Sequence, residues 1–160
     1  MTIKPGDNLP SATLYMMGPD GPTSATTDEL FKGKKVALFG LPGAFTPTCS
    51  AQHVPSYLSH AEALKAKGVD SIICLSVNDA FVMGAWGKDQ GVGDEIIMAG
   101  DGAALFSIAM GLDMDLTERG MGVRCQRFSM IVDDGVVSVL NHEPPGEYRI
   151  SSAETMLEQL

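Results

Sequence analysis

Cys49 lies in the stretch Gly40-Leu-Pro-Gly-Ala-Phe-Thr-Pro-Thr-Cys-Ser50, whose residue types could support thiol chemistry. A hydrophobic run, Val36 to Phe39, passes into a turn built on Pro42-Gly43, and a helical pattern begins after Thr46-Pro47, with Cys49 in its first turn. The first N–H groups of a helix lack partners and carry the positive end of its dipole, so the position favours an anion. The spacing predicts a reactive thiolate on a strand–turn–helix platform. The bland alternative is a cysteine packed in a core as a small hydrophobe. It fits poorly with a turn made of Pro42, Gly43, Thr46 and Pro47, which fix a backbone rather than fill a core.

The other candidates are weaker. His53 follows Cys49 by four residues and would share its helix face, as in the Cys–His pair of a thiol hydrolase. No orienting acid or oxyanion donor stands out beside it, so it reads as a surface or pocket-rim histidine. His60 and His142 give no metal spacing with it. Cys74 sits in the apolar run Ser71 to Val77 and reads as a buried, inert thiol. Cys125 precedes Arg127 by two residues; on an extended strand the two would share a face, making Cys125 either a thiol modulator near the pocket or an incidental loop residue. Gly100-Asp-Gly102 has the start of a dinucleotide turn, but Leu105 stands where the third glycine belongs, and a helix-capping turn explains it.

These residues need a frame. A candidate strand, Ala12 to Met16, leads into the hairpin loop Gly18-Pro-Asp-Gly-Pro22, and a short helical turn covers Thr27 to Leu30. Gly33 breaks it before the strand Lys35 to Phe39. One helix is expected over Thr48 to Lys67, kinked or split at Pro55 and ended by Gly68. Strand 71–77 follows, then a helix over Ala80 to Lys88 capped by Asn78-Asp79, strand 95–99, and a helix over Ala103 to Met110 capped by Asp101. Residues 111–126 read as a long irregular loop. Arg127 to Val132 and Val136 to Leu140 form a hairpin about Asp133-Asp134-Gly135, and a last helix runs from Ser152 to Leu160. Alternating strands and helices followed by a hairpin predict an α/β fold with a central mixed sheet and helices on both faces.

The 160 residues are read as a single domain, 1–160, with no repeat or linker. Hydrophobic residues make up 44% and charged residues 19%, too apolar for a disordered chain. A net charge of −9 without an offsetting basic patch argues against nucleic acid and anionic membranes as partners. Three cysteines form no disulfide framework and no metal set, which points to a reducing compartment. With no apolar leader segment at Met1 and no long apolar run, the cytoplasm is the expected location.

The segment Pro42-Gly-Ala-Phe-Thr-Pro-Thr-Cys49-Ser resembles the active-site segment of the peroxiredoxins, in their type-5 (plant type II) subfamily. Glu62-Ala-Leu-Lys-Ala-Lys-Gly68, Cys74-Leu-Ser-Val-Asn-Asp-Ala-Phe-Val82 with Trp86, and Arg127-Phe-Ser-Met130 resemble the same subfamily in the expected order. The resemblance implies a thioredoxin-like fold and a peroxidase that reduces hydrogen peroxide and organic hydroperoxides. Cys49 would be the attacking thiolate and pass through a sulfenic acid, while Thr46 holds the peroxide, Pro42 shields the sulfur and Arg127 supplies positive charge. Plant relatives carry a cysteine assigned as resolving partner at the position of Cys74; the structural reading of Cys74 competes with that role, since helix 48–67 would have to unwind to bring the sulfurs together. Animal relatives resolve through a cysteine near the C-terminus, where this chain has serine within Tyr148 to Ser152. The implied reductant is external, glutathione with glutaredoxin first and thioredoxin second, and no metal, haem or flavin is required. A homodimer is also implied, with Phe45, Phe81 and Trp86 as candidate interface residues. A redox sensor or chaperone switched at Cys49 needs the same thiolate and is the main rival; turnover with a thiol donor separates the two. A peroxidase predicts that His53→Ala is mild and Arg127→Ala severe, and a Cys–His hydrolase predicts a severe His53→Ala.

Overall fold

The apolar runs read as buried strands become the parallel centre of a seven-stranded sheet in the computed structural model, which describes residues 1–160. The strands in chain order are β1 (Thr13–Gly18), β2 (Gly21–Thr26), β3 (Lys35–Gly40), β4 (Ser71–Ser76), β5 (Ile97–Gly100), β6 (Asp113–Leu116), β7 (Gly122–Cys125), β8 (Phe128–Asp133) and β9 (Val136–His142). The helices are α1 (Thr27–Phe31), α2 (Val54–Ser59), α3 (Ala61–Ala66), α4 (Ala80–Gln90), α5 (Leu105–Met110) and α6 (Ala153–Gln159). The sheet order is β2-β1-β5-β4-β3-β8-β9; β3, β4 and β5 run parallel, while β1 and β8 join them antiparallel. The expected mixed sheet is present.

Each face of the sheet carries a core. One packs Leu30, Phe31, Phe106 and Met110 from α1 and α5 against Val36, Leu38, Ile73 and Leu75. The other packs Val54, Tyr57, Leu64, Met83, Trp86 and Met156 from α2, α3, α4 and α6 against Ala37, Phe39, Ile72 and Cys74. Alternate residues of β3 and β4 therefore face opposite cores, which is why both strands read as unbroken apolar runs. Phe39 stacks on Tyr57 with ring centroids 4.1 Å apart and planes within 5°, so the strand that leads into the Cys49 turn is clamped from the helix side.

Local signals account for most boundaries. Thr26 and Glu29 form a capping box at α1, and Asp79 and Ser152 cap α4 and α6 by accepting from the N–H groups of Val82 and Thr155. Asp101 accepts from the N–H groups of Phe106 and Ser107, as expected of a cap. In the β8–β9 turn Asp134 and Gly135 both take positive φ, the geometry an Asp-Gly hairpin turn requires. Strand β5 begins at Ile97 rather than Glu95, because Glu95 still belongs to the preceding turn, its N–H donating to the Val92 carbonyl at 3.0 Å.

Two expectations fail. The helix expected over 48–67 is in three pieces: helical Pro47 and Thr48 lead into a π-helical turn, Cys49–His53, then α2, then α3. The first junction, from the π turn to α2 at Val54, falls beside Pro55, which lacks the N–H that an uninterrupted α ladder would need there. The second falls at His60, where the hydroxyl of Ser59 and the ring of His60 both bond to the Ser56 carbonyl and compete with the helix ladder. Residues 111–126 are not an irregular loop but a second hairpin, β6–β7, joined by a 3₁₀ turn, Thr117–Arg119. Asp-Met-Asp-Leu and Gly-Val-Arg-Cys do alternate polar and apolar residues, but each runs for only four residues and Gly120 and Gly122 break the pattern between them, so the alternation is too short to stand out.

Candidate active site

The site forms where β3 leaves the sheet. Gly40 pairs with Phe128 at the start of β8, so the antiparallel register sets Arg127 beside the turn that follows β3. This brings together residues 78 apart in sequence: Arg127 Nη2 donates to Cys49 Sγ at 3.2 Å. Cys49 is wholly buried, so the guanidinium meets the sulfur away from bulk solvent, where electrostatic interactions are screened far less than at the surface.

Thr46 closes the turn on the other side. Its hydroxyl donates to the Gly43 carbonyl at 2.7 Å, which leaves the oxygen lone pairs free to accept. Phe45, at φ 64°, provides the sharp reversal. The turn is fixed from two further elements: Asn78 Oδ1 accepts from Ala44 N–H at 3.0 Å, and Arg124 Nη1 donates to the Pro42 carbonyl at 3.3 Å. A Cβ at Gly43 would lie 2.7 Å from Arg124 Nη1 and would displace the guanidinium that holds the Pro42 carbonyl. Pro42, Thr48, Gln126, Arg127 and Glu143 line a cavity of about 110 Å³ beside the guanidinium. A larger groove of about 1050 Å³ between the β1–β2 turn and α4 contains none of these residues.

His53 is not the rim residue its spacing suggested. It is fully buried, with Nδ1 2.8 Å from Arg127 Nη1 and Nε2 3.0 Å from the Ser151 carbonyl. A guanidinium only donates and a carbonyl only accepts, so the ring is neutral with its proton on Nε2. Burial, then the adjacent Arg127 charge, lowers its pKa to about 3. His53 therefore orients Arg127 rather than activating Cys49. The i, i+4 spacing from Cys49 was the available signal, but the group it serves lies on another strand.

The Redoxin family model matches residues 4–157. The chain is 48% identical to Peroxiredoxin-2E, chloroplastic, of Arabidopsis thaliana, over 99% of its own length and 70% of that protein's. It is 46% identical to Peroxiredoxin-2B of the same plant, over 99% and 98% of the two chains. The chain belongs to the peroxiredoxin family. Among solved structures it superposes on reduced Prx3 from Vibrio vulnificus, described as a complex with H2O2, at a TM-score of 0.95 and 51% identity over 99% of each chain. The peroxiredoxin fold, thioredoxin-like with a mixed sheet, and the thiol peroxidase activity that defines these enzymes extend to it.

The remaining cysteines of this peroxiredoxin are placed unambiguously. Cys74 lies opposite Phe39 in β4, wholly buried in the same core as Cys49, and both are free thiols. Burial, then the neighbouring Cys49, pushes the Cys74 thiol well above its ordinary range. Cys125 belongs to the opposite core, and its Sγ donates to the Gln126 carbonyl. Burial pushes its thiol up to about 12, and its place in the opposite core sets it apart from the Cys49 turn. Trp86, read as an interface candidate, is also fully buried, and its Nε1 donates to Ser50 Oγ at 3.0 Å; its bulk fixes the turn of Cys49 from the core side. Phe45 and Phe81 are exposed, at 55% and 63%. No helix is long and apolar enough to cross a membrane, and no three His, Cys, Asp or Glu residues are grouped to hold a metal.

Proposed function

We propose that this peroxidase reduces hydrogen peroxide and organic hydroperoxides with Cys49 as the attacking thiolate, Thr46 and Arg127 as the groups that hold the peroxide, and Pro42 as the wall that shields the sulfur. The contact from Arg127 Nη2 to Cys49 Sγ carries the reading. The sulfur lone pair attacks one peroxide oxygen, the S–O bond forms and the O–O bond breaks. The departing oxygen leaves as hydroxide or alkoxide and takes a proton from water. Thr46, whose own proton is engaged by Gly43, accepts from the peroxide O–H and orients it. Arg127 donates to the charge that moves from sulfur to oxygen, the kind of fixed donor that contributes most to such steps.

The sulfenic acid on Cys49 then loses water to an incoming thiol to give a mixed disulfide, and a second thiol equivalent restores Cys49. Because Cys74 is enclosed and its thiol is held protonated, the thiol is external: glutathione with glutaredoxin, and thioredoxin as the second choice. The exposed rings of Phe45 and Phe81 near the turn support a homodimer formed there. Three free cysteines fit a reducing compartment, taken here as the cytoplasm. Mass spectrometry after one equivalent of peroxide tests the route. A trapped sulfenic acid on Cys49 alone is expected; a quantitative Cys49–Cys74 disulfide would refute the external-thiol step.

A further inference from the structure

Arg127 is held at both ends by one residue. The backbone N–H of Glu143, just past β9, donates to the Arg127 carbonyl at 3.0 Å. The Glu143 side chain is buried, and its Oε2 accepts four bonds: from the N–H groups of Arg149, Ile150 and Ser151 at 2.7, 2.8 and 2.8 Å, and from Ser151 Oγ at 2.8 Å. Residue 151 is thereby fixed twice. Its carbonyl then receives Nε2–H of His53 and the hydroxyl of Tyr57, each at 3.0 Å, and His53 Nδ1 receives Arg127 Nη1. The segment also lays the Tyr148 ring 5.9 Å from the guanidinium carbon.

Oε1 of Glu143 is buried without a partner. The same side chain helps to line the cavity that Arg127 also lines.

We infer that Glu143 is a positioning residue for the peroxidase step: through residues 149–151 and His53 it sets the direction of the Arg127 guanidinium, and so the contact to Cys49. The inference rests on the peroxidase reading above. Without the anchor, the Ser151 carbonyl shifts, His53 loses the acceptor that selects its tautomer, and Arg127 Nη1 loses a bare nitrogen to bond. A ring with the proton on Nδ1 would face the guanidinium donor to donor.

The test is a double-mutant cycle on the full chain, read by the rate of Cys49 oxidation with hydrogen peroxide. Glu143→Gln alone is expected to slow that rate about tenfold. In a His53→Gln background the same change is expected to cost almost nothing, since the route is already cut. Imidazole ¹⁵N spectra supply a signature that a purely structural role would not move: one tautomer for His53 in the parent chain, a mixture in Glu143→Gln. An equal loss in both backgrounds, or an unchanged His53 tautomer, overturns the inference. If Glu143→Gln does not fold, Ser151→Ala removes the hydroxyl bond alone, and the same cycle decides with an expected loss of about threefold. A parent chain that fails to consume peroxide would instead overturn the peroxidase reading itself, so the two failures are distinct.

Discussion

Replacing Arg127 separates the effect of its charge from that of its shape. Two unit charges 3.2 Å apart, the Nη2 to Sγ distance, attract by about 5 kcal/mol at an effective dielectric of 20. In the proposed step part of this acts before the peroxide reacts, and only what is gained as charge moves to the departing oxygen speeds the step. Loss of one such donor costs about 3–4 kcal/mol in comparable sites, a factor of about 10²–10³. Arg127→Ala is therefore expected to slow the peroxide reaction by that factor. Arg127→Lys keeps the charge, but a single nitrogen replaces the two that bond His53 Nδ1 at 2.8 Å and Cys49 Sγ at 3.2 Å, and a loss of about ten- to a hundredfold is expected. Stopped-flow fluorescence is a suitable assay, because the one tryptophan, Trp86, bonds to Ser50 next to Cys49 and should report oxidation directly. An Arg127→Ala chain within about threefold of the parent would sink the assignment of Arg127. An Arg127→Lys chain as fast as the parent would show that the fork geometry has no role.

Three further outcomes are expected. Thr46→Val removes the bond to Gly43 and the acceptor for the peroxide proton, and should slow oxidation at least tenfold, while Thr46→Ser restores most of the rate; an active valine variant would exclude the hydroxyl. Cys74→Ser should leave peroxide turnover with an external thiol within about twofold, and lower stability by about 1–3 kcal/mol, since it buries a hydroxyl in an apolar strand; abolished turnover would restore Cys74 as resolving partner. His53 should make stability fall on acidification: the folded chain keeps it neutral down to about pH 3, whereas an unfolded histidine protonates near pH 6.5. Its contribution is complete above pH 6.5 and declines by about 1.4 kcal/mol per pH unit below that. Urea titrations at pH 7 and 5.5 should show the drop in the parent and a flatter response in His53→Gln; equal slopes would contradict the buried neutral ring.

The sheet was legible because β3, β4 and β5 are apolar on both faces and are bounded by capping residues. The site was only half legible. Cys49 stands out from the turn it occupies, whereas the roles of Thr46, Pro42 and Arg127 rested on the family resemblance alone, because the route from Arg127 to Cys49 depends on the β3–β8 register, a long-range property that local pattern does not encode. His53 shows the limit most clearly. Its sequence position allowed a helix face, yet its burial follows from α2 packing on Phe39 and from residues 148–151 folding over it. His53→Ala would take from Arg127 the nitrogen that Nη1 now bonds, so its measured effect on the peroxide reaction tests whether that contact matters.

The π-helical turn at Cys49–His53 has a consequence for chain length. Its closing bond, Val54 N–H to the Cys49 carbonyl, spans one residue more than an α-helical turn does. Four α-helical residues at about 100° each turn the chain by about 400°, and here five residues share nearly the same rotation, so deleting one residue from 50–53 would regularise the ladder and leave Cys49 facing almost the same way relative to α2. The extra residue is thus a bulge absorbed within one turn, and the aim of the thiol is insulated from it.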